Sequence, residues 1–274
     1  MQNASSRIYI LRTMKRREIN INELDFPSEI QGILSNSLVF DSSCSRQARV
    51  FFIDKEQGFY LKKSGKGTLE NEAVMDAYFH KKGLSAKVVS YISDEYDWLL
   101  TERVPGEDCI FEKYLSDPLR LTDTIAMKLR ELHETDFSDC PIQNRNDSYI
   151  KTAYDNYASG AYDNDSFPDS FGYKNAEDAM KVIEENKHRL KSDVLLHGDY
   201  CLPNIMLNDW QFSGFIDLGN GGVGDRHIDL FWGAWTLNFN LHTEKYRERF
   251  FDAYGRDKIQ PDMLDVIAAF EVFG

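Results

Sequence analysis

The stretch from Val194 to Asp229 constrains the fold more than any other part of the chain. It opens with an apolar run, Val194-Leu195-Leu196, that reads as a buried strand and passes directly into His197-Gly198-Asp199-Tyr200-Cys201-Leu202-Pro203-Asn204. Ile205-Met206-Leu207 follows as a strand, Asn208-Asp209 as a turn, and Phe212 to Ile216 as a strand ending in Asp217-Leu218-Gly219. This order predicts a hairpin that returns Asp217 beside Asn204. A loop at a strand end can aim the Asp199 carboxylate at a substrate hydroxyl, while the Asn204 amide oxygen, five residues on, ligates a magnesium ion. With Asp217 as the metal-binding carboxylate, these groups meet the requirements of phosphoryl transfer from a magnesium nucleotide. Taken singly, each Asp is explained as well by a turn or a helix cap; the specificity lies in the order.

The rest of the chain divides in two. Leu38 to Phe40, Val50 to Ile53 and Phe59 to Lys62 read as antiparallel strands, Leu69 to Lys81 as a helix, and Val88 to Ile92 and Trp98 to Thr101 as further strands. Pro105-Gly106 breaks this pattern. Beyond it, Thr122 to His133 and Asn175 to Leu190 have helical spacing, whereas Tyr154 to Tyr173, dense in Asp, Asn, Ser and Gly, reads as loops or short helices. Charge shifts at the same break: residues 1–106 carry net +1 and residues 107–274 net −14. A total of −13 argues against nucleic acid as a partner and for a cationic ligand. The cysteines, Cys44, Cys109, Cys140 and Cys201, lack zinc-knuckle or redox spacing and read as reduced thiols. No apolar run is long enough to span a bilayer, and the basic N-terminal stretch with Ile8 to Leu11 reads as an edge strand. The expected location is the cytoplasm, with no membrane and no obligate protein partner.

His197-Gly198-Asp199 through Asn204, then Ile216-Asp217-Leu218-Gly219, then Asp225 to Asp229, resembles the aminoglycoside phosphotransferases, most nearly the aminoglycoside 3'-phosphotransferases. The resemblance runs from about Leu38 to Phe273. It implies an α+β, bilobal protein-kinase-like fold: an antiparallel-sheet N-lobe with one main helix over 1–106, and a mainly helical C-lobe over 107–274 that carries the catalytic loop, the metal site and an acidic substrate cleft. It also implies that Asp199 is the catalytic aspartate, that Asn204 and Asp217 ligate Mg2+, and that Asp229 holds the catalytic loop by its backbone. His197 reads as a loop-fixing residue, since no second His or Cys lies at ligand spacing. Gly198 stands where protein kinases have Arg, and no Ala-Pro-Glu motif follows, which argues against a protein kinase.

Lys62 follows an apolar strand, as a lysine that reaches phosphates does, and Glu72 lies on the next helix; Lys63 and Glu70 are neighbouring competitors that strand alternation and the family's spacing disfavour. The resemblance implies that Ser45 lies in the nucleotide loop, that backbone groups of Glu102 and Val104 pair with the purine edge, and that Tyr60 stacks on adenine. A core or edge-strand aromatic is an equal explanation for Tyr60. For the acceptor it implies Glu271 and the cluster Asp163, Asp165 and Asp169, with Asn240 aligned on an acidic substrate residue. The expected reaction is ATP- or GTP-dependent phosphorylation of an aminoglycoside, at the 3'-hydroxyl, conferring resistance. The nearest alternative is a kinase of the same fold acting on another small hydroxylated metabolite or antibiotic; a nucleotide-binding module without turnover would not need all five of Asp199, Asn204, Asp217, Lys62 and Glu72.

Overall fold

Strands with a two-residue period build the first part of the chain. The computed structural model describes residues 16–21, 25–44, 48–162 and 172–274, so the edge strand expected at residues 8–11 lies outside it. Among the described residues, those from Arg16 to Pro105, together with Ser213–Gly219, form one compact unit, and Gly106–Phe212 with Asn220–Gly274 form a second. Asp217 therefore belongs to the unit that carries Lys62.

In the first unit the strands are β1 (Arg17–Glu18), β2 (Leu38–Asp41), β3 (Arg49–Asp54), β4 (Phe59–Gly65), β5 (Val88–Ser93) and β6 (Tyr96–Glu102). They pair antiparallel in the order β1-β2-β3-β4-β6-β5. One face is apolar: Phe51, Ile53, Phe59, Leu61, Trp98 and Leu100 pack with Phe26, Ile30 and Leu34. Lys55 on this side donates from Nζ to the carbonyls of Gly32, Ile33 and Ser35, capping the short helix α1 (Gln31–Leu34). Alternation puts Tyr60 and Lys62 on the opposite face, where Leu99 meets Leu69 and Ala73 beside α2 (Glu70–Lys81). A one-residue slip would exchange the faces. Lys63 accordingly turns away from Lys62, its Nζ 3.9 Å from the Tyr96 ring centroid and 4.5 Å from that of Trp98.

The second unit contains β7 (Glu107–Asp108), α3 (Glu112–Leu115), α4 (Pro118–His133), α5 (Arg145–Ser159), α6 (Ala176–Asn186), β8 (Val194–Leu196), β9 (Ile205–Asn208), β11 (Gly222–Gly224), α7 (His227–Leu241), α8 (Arg247–Tyr254) and α9 (Pro261–Glu271). β10 (Gln211–Phe215) begins here and leads into Ser213–Gly219. Asp209 and Trp210 both have positive φ, so β9 and β10 are joined by a two-residue turn of the mirror-image type that matches strand twist. β8 pairs with β11, and β9 with β7.

Two elements differ from expectation. α4 starts one turn before Thr122, because Asp117 accepts the Arg120 N–H and Pro118 suits the first helical position. Residues 154–159, expected as loops or short helices, complete the packed helix α5. Their local propensity is poor, but Ala153, Tyr154 and Tyr157 pack against a core of Ala179, Met180, Ile183, Val266 and Phe270 from α6 and α9, and that burial decides the outcome.

Candidate active site

β8 delivers the chain into a loop that is fixed at its backbone before any side chain acts. Gly198 has φ +83°, and a Cβ there would lie 1.9 Å from the Asn220 carbonyl oxygen, so only glycine fits where a protein kinase has arginine. Asp229, fully buried on α7, accepts the His197 N–H on Oδ2 and the Gly198 N–H on Oδ1, each at 2.8 Å. It is the third residue of α7, so its carboxylate serves the loop and not the helix start. Behind it, His133 Nε2 lies 3.2 Å from Asp229 Oδ2, and His133 Nδ1 lies 2.8 Å from the Tyr254 hydroxyl. Burial pushes the His133 imidazole down, so it is neutral, donating to Asp229 and accepting from Tyr254. The Asp199 N–H closes the loop onto His197 Nδ1 at 3.3 Å.

The same loop joins the first two chemical groups. Asn204 Nδ2 donates to the Asp199 main-chain oxygen at 3.0 Å and to Asp199 Oδ2 at 3.1 Å. The amide therefore steadies the carboxylate and keeps its own oxygen as the end that Asp199 does not engage. The Leu202 N–H donates to Thr236 Oγ1 at 3.1 Å, tying the loop to α7.

In the sheet unit, Lys62 Nζ lies 2.6 Å from Glu72 Oε1 and 2.9 Å from Asp217 Oδ1. Burial alone would favour the neutral amine, but two carboxylates reverse this and hold Lys62 protonated. Burial raises Glu72, and raises Asp76, one turn along α2 and next to the Glu72 charge, well above the ordinary carboxylate range. Sequence reasoning missed Asp76; its i, i+4 spacing from Glu72 was the available signal. Asp217 itself has φ +62°, a left-handed conformation uncommon outside glycine. Oxygen donors suit magnesium, which is usually held by one or two carboxylates together with substrate phosphates. Asp217 in the first unit and Asn204 in the second each carry a side-chain oxygen of that kind, and among the described residues no group of three His, Cys, Asp or Glu offers an all-protein cage.

The remaining expected residues are placed as follows. The Glu102 N–H is engaged by the Lys87 carbonyl at 2.9 Å, and Val104 is buried, its own N–H and C=O without a partner among the described residues. The Tyr60 hydroxyl accepts from Arg16 at 3.0 Å, and its ring lies 5.3 Å from that of Phe52. Ser45, Asp163, Asp165 and Asp169 lie outside the described residues. Asn240 turns its amide into its own helix, donating to the Thr236 carbonyl at 2.7 Å and hydroxyl at 3.1 Å. Glu271 is buried at 6% exposure, and its Oε1 accepts from the Tyr149 hydroxyl at 2.6 Å and from Trp232 Nε1 at 3.1 Å. Tyr149 and Trp232 were missed because no local pattern links them to Glu271.

Comparison with known proteins shows the family and the fold. Residues 40–268 match the model of APH, a phosphotransferase enzyme family. The chain is 50% identical to a probable aminoglycoside 3'-phosphotransferase of Lactococcus lactis over 94% of its own length and 98% of the relative's. It is 28% identical to an aminoglycoside 3'-phosphotransferase of Staphylococcus aureus over 82% of this chain and 88% of that one. Among solved structures, a type VIII aminoglycoside 3'-phosphotransferase shares the fold at a TM-score of 0.70 and 21% identity, covering 94% of each chain. An aminoglycoside phosphotransferase of Streptomyces rimosus, solved with ADP and streptomycin, does so at 0.70 and 23% over 82% of this chain and 90% of that one. A loop pinned by a buried aspartate, an Asp–Asn pair five residues apart and a lysine held by a helix glutamate thus sit in a chain matched almost end to end, and that chain belongs to the APH phosphotransferase enzyme family.

Proposed function

We propose that this protein transfers the γ-phosphoryl group of ATP or GTP to the 3'-hydroxyl of an aminoglycoside and thereby confers resistance. The observation that carries the reading is the Asp199 carboxylate held by the Asn204 amide on a loop whose backbone is fixed by Asp229. Asp199 orients the acceptor hydroxyl and takes its proton as the new bond forms to phosphorus. Asn204 and Asp217 would hold magnesium, which would neutralise phosphate charge when bound. Lys62, kept cationic by its carboxylate partners, steadies the nucleotide phosphates, and Glu72 orients Lys62. Tyr60, the backbone of Glu102 and Val104, and Ser45 receive the nucleotide. Glu271, Asn240, Asp163, Asp165 and Asp169 are the residues assigned to the acceptor, whose ammonium groups suit carboxylates. Relatives named for the 3' position, one of them half identical, support that regiochemistry. The cytoplasm, which holds the nucleotide, is the proposed location; among the described residues no helix is long and apolar enough to cross a membrane.

The test is product mass spectrometry with magnesium and ATP or GTP. Kanamycin B should gain one phosphate, its 3'-deoxy analogue none, and Asp199→Ala should lose about 10^2-fold or more in kcat with melting unchanged. Phosphate on the 3'-deoxy analogue would reject the position, and full activity in Asp199→Ala would reject the mechanism.

A further inference from the structure

The chain that enters α5 is bonded along the whole of β11 and reaches both ends of the β8–β11 pair. Within the second unit these strands run antiparallel, Gly222 opposite Leu196 and Gly224 opposite Val194. Continued by two residues, that register sets Asn220 opposite Gly198, in agreement with the close approach of the Asn220 carbonyl to Gly198. At the end away from the loop, the buried Asn146 accepts the Asp225 N–H at 3.1 Å and donates to the Lys191 carbonyl at 3.0 Å and to Ser192 Oγ at 3.1 Å. In the middle, the Val223 N–H donates to the Ile142 carbonyl at 2.8 Å. At the loop end stands Arg145, the first residue of α5. Its Nε donates to the Asn220 main-chain oxygen at 2.7 Å and its Nη2 to the Asn220 side-chain oxygen at 2.8 Å. Arg145 Nη1 donates to Ser148 Oγ at 2.6 Å, and Ser148 Oγ donates to the Arg145 carbonyl at 2.9 Å, which sets the arginine against the first turn of its helix.

We propose that Arg145 is a positioning residue for phosphoryl transfer: it holds the Asn220 carbonyl against Gly198 and so fixes the place of Asp199 without touching substrate. This rests on the role given to Asp199 above. The oxygen that Arg145 Nε engages is the one that a Cβ at residue 198 would meet at 1.9 Å, so a shift of Asn220 is felt directly at Gly198. A planar guanidinium engages both oxygens of Asn220 through its fork and fixes direction as well as distance, whereas a lysine ammonium is a point donor. Asp229 holds the loop at the His197 and Gly198 N–H groups, and Asn220 adds a steric limit at the Gly198 Cα. The strand pair has other supports, because Ile142 and Asn146 already hold β11 and the approach to β8. The arginine also stands on a firm base, since α5 is packed into the core through Tyr149, Ala153 and Tyr154.

The experiment compares the full-length chain with Arg145→Ala, Arg145→Lys and Asn146→Ala, using steady-state kinetics with ATP and kanamycin B, thermal melting, and amide hydrogen exchange across residues 197–204. In Arg145→Ala, kcat should fall about 10^2-fold, as a misplacement of about 1 Å does, while KM for ATP and for kanamycin B stay close to those of the parent. Exchange across residues 197–204 should quicken. Methylguanidinium at millimolar concentration should return much of the lost rate and methylammonium should not, and Arg145→Lys should recover little. Asn146→Ala should melt at a lower temperature yet keep the parent's kcat where it is folded. Unchanged kcat in Arg145→Ala overturns the proposal and leaves the proposed activity standing. A fall in kcat that Asn146→Ala shares and methylguanidinium does not relieve also overturns it, since the contact would then be structural. Should Arg145→Ala not fold, a kcat in Arg145→Lys equal to the parent's overturns the need for the fork. If the parent transfers no phosphate while exchange still quickens in Arg145→Ala, the hold on the loop stands and the proposed activity falls; if exchange is also unchanged, both fall.

Discussion

At Asp108 a single carboxyl carries a measurable cost. Burial, with the neighbouring Glu107 charge adding to it, pushes its pKa up to about 6 from an ordinary 3.8. Between those values the folded state holds a proton that the unfolded state has lost, so stability falls as pH rises through that window and the full cost is present above pH 6. Asp108→Asn removes the charge and keeps an oxygen for the Ile110 N–H, which Asp108 Oδ1 now accepts at 3.1 Å. Urea unfolding should show a gain of about 1–2 kcal/mol at neutral pH, the full shift being discounted for partial exposure, and almost none near pH 4. An equal gain at both pH values would mean that packing, not ionisation, is responsible. The same scale shows what a sequence can disclose. Asp199 and Asn204 are read from their spacing because one loop sets their geometry, and strand alternation separates Lys62 from Lys63. Tyr149 and Trp232 escape such reading: they lie 122 and 39 residues from the Glu271 carboxylate they hold, and only tertiary packing joins them.

Elements were legible where period and caps agree and obscure where distant packing decides. The strands of the sheet alternate plainly, whereas the last two turns of α5 are polar in composition and helical only because their tyrosines meet α6 and α9. α2 has a related dependence on a remote group. Its N-cap position is Leu69, whose side chain cannot accept a hydrogen bond, and the Leu69 N–H is instead taken by Asp97 Oδ2 of β6 at 2.9 Å. The same fully buried carboxylate accepts from the Tyr91 hydroxyl at 3.0 Å and from Ser93 Oγ at 2.7 Å. Asp97 thus anchors the helix that presents Glu72 to Lys62 to the strand paired with β4. Asp97→Ala should cost about 2–4 kcal/mol in urea unfolding, since the lost bonds leave a buried N–H and a hydroxyl unpaired. Because Glu72 rides on this helix, KM for ATP should rise in the variant under conditions where it remains folded, while affinity for kanamycin B in the absence of nucleotide should not change. A stability loss without any effect on KM for ATP would show that the anchor holds the helix but does not set its register against Lys62.

Over the whole molecule, charge is divided as unevenly as structure. Residues 1–106 carry net +1 and residues 107–274 net −14, and the second span holds the loop with Asp199 and Asn204, and α7. Two physical accounts compete for this imbalance. A solvated acidic surface keeps a protein soluble without regard to substrate, whereas a field that attracts a polycation acts on encounter and binding and is screened by salt. They differ in what ionic strength does to the kinetics. If the field serves the acceptor, raising ionic strength from about 0.05 to 0.3 M, which shortens the screening length from about 14 to 6 Å, should raise KM for kanamycin B several-fold. An analogue with fewer amines should respond less, and kcat should hold steady, because the groups around the reacting oxygen are close enough to escape screening. The slope of log KM against log salt then counts the ammonium groups that the surface attracts. A flat slope shared by substrates of different charge would assign the acidity to solubility alone.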